Sequence, residues 1–219
     1  MNINNIKLFN MTNILLLASK SQSRQRLLKD SQINFRIISQ EADENSFAWN
    51  LPLEDLVKKI AILKMECVQL PMGKYEDEKC FVLTADTLGI NSENEICGKP
   101  KDKEDAIKML KSYRGGATTG TAYCLERKIW QKNKWNTDFR IVDFVFANYI
   151  FDVPSNWIEK YFELSLKSGI NFMEVSGAIA VEDFGAQFLK VVSGSYTSII
   201  GLPMFELRES LSEMKFFEI

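Results

Sequence analysis

Two short apolar runs with a helical segment between them limit the fold of this chain more than any other feature. Ile14–Ala18 reads as a buried strand, Ser21 to Lys29 as a short helix after a serine-rich turn, and Phe35–Ile38 as a second strand. Between Pro52 and Gln69 the apolar positions are Leu53, Leu56, Val57, Ile60, Leu63 and Cys67, spacings of three and four that mark one face of a helix. Pro52 suits the first turn, and Glu54 and Asp55 favour the positive N-terminal end. Phe81-Val82-Leu83 predicts a strongly buried strand ending in Thr84-Ala85-Asp86-Thr87, with a hairpin around Asn91–Glu95. Asp102 caps a further helix carrying Ala106, Ile107, Met109 and Leu110. Residues 117–151 are rich in Thr, Val, Ile, Phe and Tyr and predict long strands. A helix over Pro154–Leu164 with a Trp157, Tyr161, Leu164 stripe, a strand at Phe188–Val192 and a last helix ending near Met214 complete the pattern. The expected class is α/β with a mixed sheet.

Composition removes several function classes. The 219 residues carry 27 basic and 29 acidic side chains, a formal charge of -2, without the basic excess of a surface that binds a nucleic acid polymer. No apolar run reaches the ~18 residues of a membrane span. Residues 1–12 are polar and Asn-rich, unlike a signal peptide, and read as an extension ahead of one domain over residues 13–219. Cys67, Cys80, Cys97 and Cys124 form no CxxC pair and read as reduced thiols of a cytoplasmic protein. The chain has no histidine, so Ser-His and Cys-His pairs and histidine metal ligands are excluded. Any acid–base or metal chemistry rests on carboxylates, lysines or hydroxyls.

Such groups stand at predicted strand ends. After the first strand, Ser21 and Arg24 lie at a helix N-terminus, where unpaired N–H groups and the helix dipole favour an anion. A capped surface helix with solvated arginines fits the same stretch. Asp86 follows the most apolar strand, where a carboxylate can bind a divalent metal, act as a base, or simply shape a turn. Glu41, Asp43 and Glu44 form an acidic turn; Glu44 and Asp86 can together supply oxygens to Mg²⁺, which otherwise keeps water and phosphate ligands. Lys64, near the apolar face of the long helix, and Lys99, in a Gly-Lys-Pro turn, can neutralise phosphate or remain surface lysines. No GxxxxGK[ST] loop occurs. Cations and carboxylates recurring at strand ends favour metal-assisted chemistry on a phosphate-bearing substrate.

Taken in order, these stretches resemble the Maf proteins, nucleoside triphosphate pyrophosphatases related in fold to inosine triphosphatases. LLLASKSQSRQRLL at 15–28 is similar to the family's opening stretch, Glu41-Ala42-Asp43-Glu44 to its acidic turn, and Lys64 to the lysine of its long helix. Thr84-Ala85-Asp86-Thr87, Gly98-Lys99-Pro100, Ser176-Gly177-Ala178 and Gly201-Leu202-Pro203 resemble four further signatures. The resemblance implies an elongated mixed sheet flanked by helices, with two lobes around a central cleft. It implies that a nucleoside triphosphate, of a non-standard or modified kind, is cut to a monophosphate and pyrophosphate with Mg²⁺ or Mn²⁺, and that the protein is a homodimer. Asp86 would accept the proton of the attacking water, Glu44 and Asp86 would hold the metal, and Ser21, Arg24, Lys64 and Lys99 would bind phosphates.

The chain departs from the family where the opening stretch usually carries Pro and two arginines; here stand Gln22, Ser23 and Arg24. Three positions linked in the family to base choice correspond to Ser23, Thr87 and Glu182. The dTTP/UTP branch has Arg, Thr and Gln there and the 7-methyl-GTP branch Trp, Gln and Glu, so this chain mixes the two. Glu182 can accept hydrogen bonds from a guanine edge, which leans the expectation towards a purine or modified purine. The family name also leaves open a nucleotide-binding regulator of cell division or septum formation that turns over slowly or not at all.

Overall fold

A computed structural model describes residues 13–43 and 49–217. The extension expected over residues 1–12 and the metal ligand expected at Glu44 lie outside the described residues. Seven strands form one mixed sheet: β1 (Leu15–Leu17), β2 (Phe35–Ile37), β3 (Lys79–Ile90), β4 (Ile96–Cys97), β5 (Ala117–Gln131), β6 (Lys134–Phe151) and β7 (Leu189–Gly194). The order is β2-β1-β3-β5-β6-β7, with β4 added on β3. β1 runs parallel to β2 and β3, and the remaining pairings are antiparallel. The helices are α1 (Gln22–Asp30), α2 (Leu53–Glu66), α3 (Lys103–Ser112), α4 (Ile158–Lys167), α5 (Tyr196–Ile200) and α6 (Met204–Glu213).

The alternation of β3 separates two cores. Phe81, Leu83 and Ala85 point to one face, where they pack with Leu15, Leu17, Leu28 of α1 and Leu207 and Leu211 of α6. Val82 and Leu88 point to the other, against Leu56, Val57, Ile60 and Ala61 of α2. A third cluster gathers Tyr113, Tyr149, Phe151, Tyr161, Phe162 and Phe188 around α3 and α4. Edge-to-face rings at centroid distances near 6 Å, such as Phe151–Tyr161 and Phe151–Phe188, hold it.

One prediction needs correction because it bears on the site. The strand expected to end in Thr84-Ala85-Asp86-Thr87 instead runs from Lys79 through Ile90, because β5 pairs with it over that whole length without interruption. What ends is its neighbour on the opposite edge. β1 pairs only as far as Leu83, and β4 joins that same edge only at Gly89. Thr84 to Leu88 therefore have a strand partner on one side and a gap on the other. Other differences are smaller. α2 stops at Glu66 with Cys67 as its cap, and the buried stripe of α4 is Ile158, Tyr161, Phe162 and Ser165, with Trp157 exposed. The short helix α5, capped by Ser195, was not expected. The four cysteines are free, and burial pushes the Cys80 and Cys124 thiols up to about 12, far from reactive thiolates.

Leu17 is fully buried where β1 meets α1 and α6, so Leu17→Ala is expected to cost about 2–5 kcal/mol, a fall in melting temperature of roughly 2–4 °C per kcal/mol. A thermal melt of the variant beside the native protein checks this.

Candidate active site

The gap in the sheet collects the charged residues. On the α2 face of β3, Asp86 Oδ1 lies 2.6 Å from Lys64 Nζ, and both side chains are only 8% exposed. Lys64 comes from the last turn of α2, whose position against β3 is fixed by the apolar face below it and by the Thr84 hydroxyl donating to the Ala61 carbonyl at 2.7 Å. Removing one member of a buried pair leaves an uncompensated charge, a loss of order 3–5 kcal/mol.

Thr87, one residue on, points to the opposite face and meets Arg24. Arg24 lies in the first turn of α1 and is 8% exposed. Its Nη1 donates to the Ala85 carbonyl at 2.9 Å and to Ser19 Oγ at 3.2 Å, its Nη2 to Thr87 Oγ1 at 3.0 Å, and its Nε to the Gly201 carbonyl at 2.9 Å. The Ala18 amide donates to the Leu83 carbonyl, the last rung of β1 on β3. The guanidinium occupies the next rung, at Ala85, in place of a strand. Gly201 is required here: its φ is +129°, and a Cβ would come within 3.3 Å of Arg24 Nε.

The resemblance had Arg24 and Ser21 reaching phosphate. In the structure the Arg24 guanidinium is directed at protein acceptors from three chain segments. Ser21 is the N-cap of α1, with its hydroxyl accepting from the Arg24 amide at 3.4 Å.

Ser23 and Glu182, which the resemblance linked to base choice, meet beside α1. Ser23 Oγ donates to Glu182 Oε1 at 2.8 Å, and Arg26, one turn along α1, pairs with Asp183. Two tyrosines hold this loop: the Tyr161 hydroxyl donates to the Ala178 carbonyl and accepts from the Ala180 amide, and the Tyr196 hydroxyl donates to the Val181 carbonyl. Burial raises the Glu182 carboxyl above its ordinary value, against the lowering effect of Ser23. Lys99 forms an exposed pair with Glu174 at 2.8 Å, the kind of surface contact that yields readily. Its turn is fastened from behind, because Ser176 Oγ donates to the Cys97 carbonyl and the Gly177 amide to the Gly98 carbonyl. Gly177, at φ +68°, has no room for a Cβ, which would lie 2.2 Å from the Tyr113 hydroxyl.

A divalent metal fits this donor set in one way. Among the described residues no three His, Cys, Asp or Glu side chains cluster as a metal cage. Mg²⁺ needs only one or two carboxylates when phosphate oxygens and water supply the rest, and Asp86 offers one beside the gap.

Fold and site together define an α/β protein whose charged side chains gather at a break in a mixed sheet. The sequence matches the Maf-like protein family over residues 14–214, and the chain belongs to that family. It is similar to a protein of Clostridium botulinum (strain Loch Maree / Type A3) named dTTP/UTP pyrophosphatase, 32% identical over 209 residues that span 93% of this chain and 98% of the relative. It is also similar to a Fusobacterium nucleatum protein of the same name, 30% identical over 201 residues covering 91% and 95% of the two chains. Thr121, whose hydroxyl donates to the Ser198 carbonyl at 2.7 Å, and the Tyr161 clasp carry no sequence motif and were not anticipated; only their hydrogen bonds mark them.

Two outcomes are expected from this geometry. Lys64→Met should lower stability to urea by roughly 3 kcal/mol, and adding Asp86→Leu should restore part of the loss, since an apolar pair is tolerated better than half an ion pair. The raised Glu182 carboxyl binds its proton more tightly folded than unfolded, so folding loses stability as pH rises from the ordinary carboxylate range through the raised value. Glu182→Gln removes that loss, and its stability relative to the native protein should increase between pH 4 and pH 8 in parallel urea titrations; an unchanged difference would contradict the assignment.

Proposed function

We propose that this protein hydrolyses a nucleoside triphosphate between the α and β phosphates, giving a nucleoside monophosphate and pyrophosphate. The observation that carries this reading is the buried Lys64–Asp86 pair at the open edge of β3. The names of the relatives support the same reaction. Asp86 accepts a proton from the attacking water as its oxygen bonds to the α phosphorus, and the bond from that phosphorus to the bridging oxygen breaks. Charge then collects on the leaving pyrophosphate. Lys64, Lys99, the Ser21 hydroxyl and the first amides of α1 are the groups we assign to stabilising it. Asp86 and Glu44 would hold Mg²⁺ or Mn²⁺, which when bound neutralises phosphate charge.

The base is read by Ser23, Thr87 and Glu182 in this proposal. The purine lean drawn from Glu182 is not reflected in the relatives, which are named for dTTP and UTP. No helix of the described residues is long and apolar enough to cross a membrane, and four free thiols accord with a cytoplasmic protein.

The test is pyrophosphate release with Mg²⁺ or Mn²⁺ from dTTP, UTP, CTP, ATP, GTP, ITP and 7-methyl-GTP. Asp86→Asn should lower turnover of the preferred substrate by about 100-fold or more. A folded, metal-supplied protein that turns over none of them would instead be a nucleotide-binding regulator.

A further inference from the structure

The three base-choice positions share a property that no one of them shows alone. Thr121 Oγ1 lies 2.7 Å from the Ser198 carbonyl oxygen, which can only accept, so the single hydroxyl proton of Thr121 is given there. Thr121 Oγ1 also lies 2.8 Å from Thr87 Oγ1. With its own proton committed, Thr121 accepts in that contact and Thr87 donates. Arg24 Nη2, which can only donate, reaches Thr87 Oγ1 from the other side. The half-buried Thr87 hydroxyl thus gives away its proton and offers a ligand nothing but a lone pair. Ser23 is in the same state, because its proton goes to Glu182 Oε1. The Glu182 carboxylate is an acceptor throughout.

We infer that the base-reading side of this site accepts hydrogen bonds and donates none, so that it takes nucleotides whose base presents a ring N–H, with Thr121 as the positioning residue that sets this polarity. The inference rests on the proposal that Ser23, Thr87 and Glu182 face the base. Uracil and thymine carry N3–H, and guanine and hypoxanthine carry N1–H. Cytosine N3 and adenine N1 are acceptors at the same edge and would meet lone pair with lone pair. The polarity explains how one site can combine a threonine and a glutamate that the family separates: both select the same ring N–H, in a pyrimidine or a purine.

UTP and CTP are nearly isosteric and differ at that edge, so they make the test. The native protein should prefer UTP over CTP by about 10- to 100-fold in kcat/KM, the effect of one acceptor left unpaired. 3-Methyl-UTP, which lacks the N–H, should fall by at least about 10-fold without any change to the protein. Thr121→Val frees the Thr87 proton to turn towards the ligand. The UTP-to-CTP ratio should drop to within about threefold, chiefly through a gain for CTP, and Thr121→Ser should keep the native ratio. Equal use of UTP, CTP and 3-methyl-UTP by the native protein would overturn the inference. So would a Thr121→Val protein that loses both substrates in proportion. Calorimetric binding of UTP and CTP to Asp86→Asn separates this from the reaction itself. UTP bound at least 10-fold more tightly upholds the polarity even if no turnover is found, equal affinities sink it, and binding of neither by a variant that is folded overturns the nucleotide reading on which it rests.

Discussion

The open edge of β3 between Leu83 and Gly89 is the constraint on which the rest of this structure depends. A strand edge left bare inside a protein exposes carbonyl and amide groups that must be satisfied by something other than a strand. Here β1 stops after three residues and β4 begins six positions further along β3, and the first vacant rung is taken by the Arg24 guanidinium at the Ala85 carbonyl. A guanidinium suits the position because its donors fan out in a plane. It reaches β3, the turn after β1 and the loop after α5 together. Those contacts fix the start of α1 relative to the sheet, and with it the helix end that faces the gap. The Gly201 backbone adopts a φ of +129°, which glycine takes without strain, and a Cβ there would press on Arg24 Nε at 3.3 Å.

Once the edge is open, strand alternation does the rest. Consecutive residues of a strand point to opposite faces, so Asp86 and Thr87 are adjacent in the chain and divided by the sheet. Asp86 turns to α2 and its lysine; Thr87 turns to α1 and its arginine. The carboxylate proposed to accept the proton and the threonine proposed to read the base therefore point to different faces of one strand, one towards α2 and the other towards α1. A substitution on one side can therefore alter selectivity without disturbing the buried ion pair on the other.

Much of this was legible in the sequence, for reasons that differ from residue to residue. The apolar runs at Leu15–Leu17 and Phe81–Leu83 and the three-and-four spacing from Leu53 to Ile60 marked strands and a helix because burial imposes those periods. Asp102 and Ser21 marked helix starts because a side-chain oxygen is needed there. The length of β3 was not legible: Thr84-Ala85-Asp86-Thr87 has the polarity of a turn, and only pairing with β5, which lies more than thirty residues away, holds it as strand. For the same reason Arg24 read as a solvent or phosphate group. Nothing near it in sequence reveals that Ala85, Thr87 and Gly201 converge on it. Thr121 was invisible because a threonine in a β-rich segment is ordinary, and its significance lies in a contact with Ser198 seventy-seven residues on.

Hydrogen-bond direction in such a network is decided at its ends. A chain of hydroxyls can run either way, since each both donates and accepts, and alone it specifies no ligand. At one end of this chain is a guanidinium, which cannot accept; at the other is the Ser198 carbonyl, which cannot donate. The two ends agree, so Thr87 and Thr121 between them have one arrangement. Reversing it would leave the Ser198 carbonyl without that donor, an unmade bond in a buried place. The short helix α5, which carries that carbonyl, is capped by Ser195 and followed by Gly201, so the same few residues hold both the direction of the chain and the arginine that feeds it.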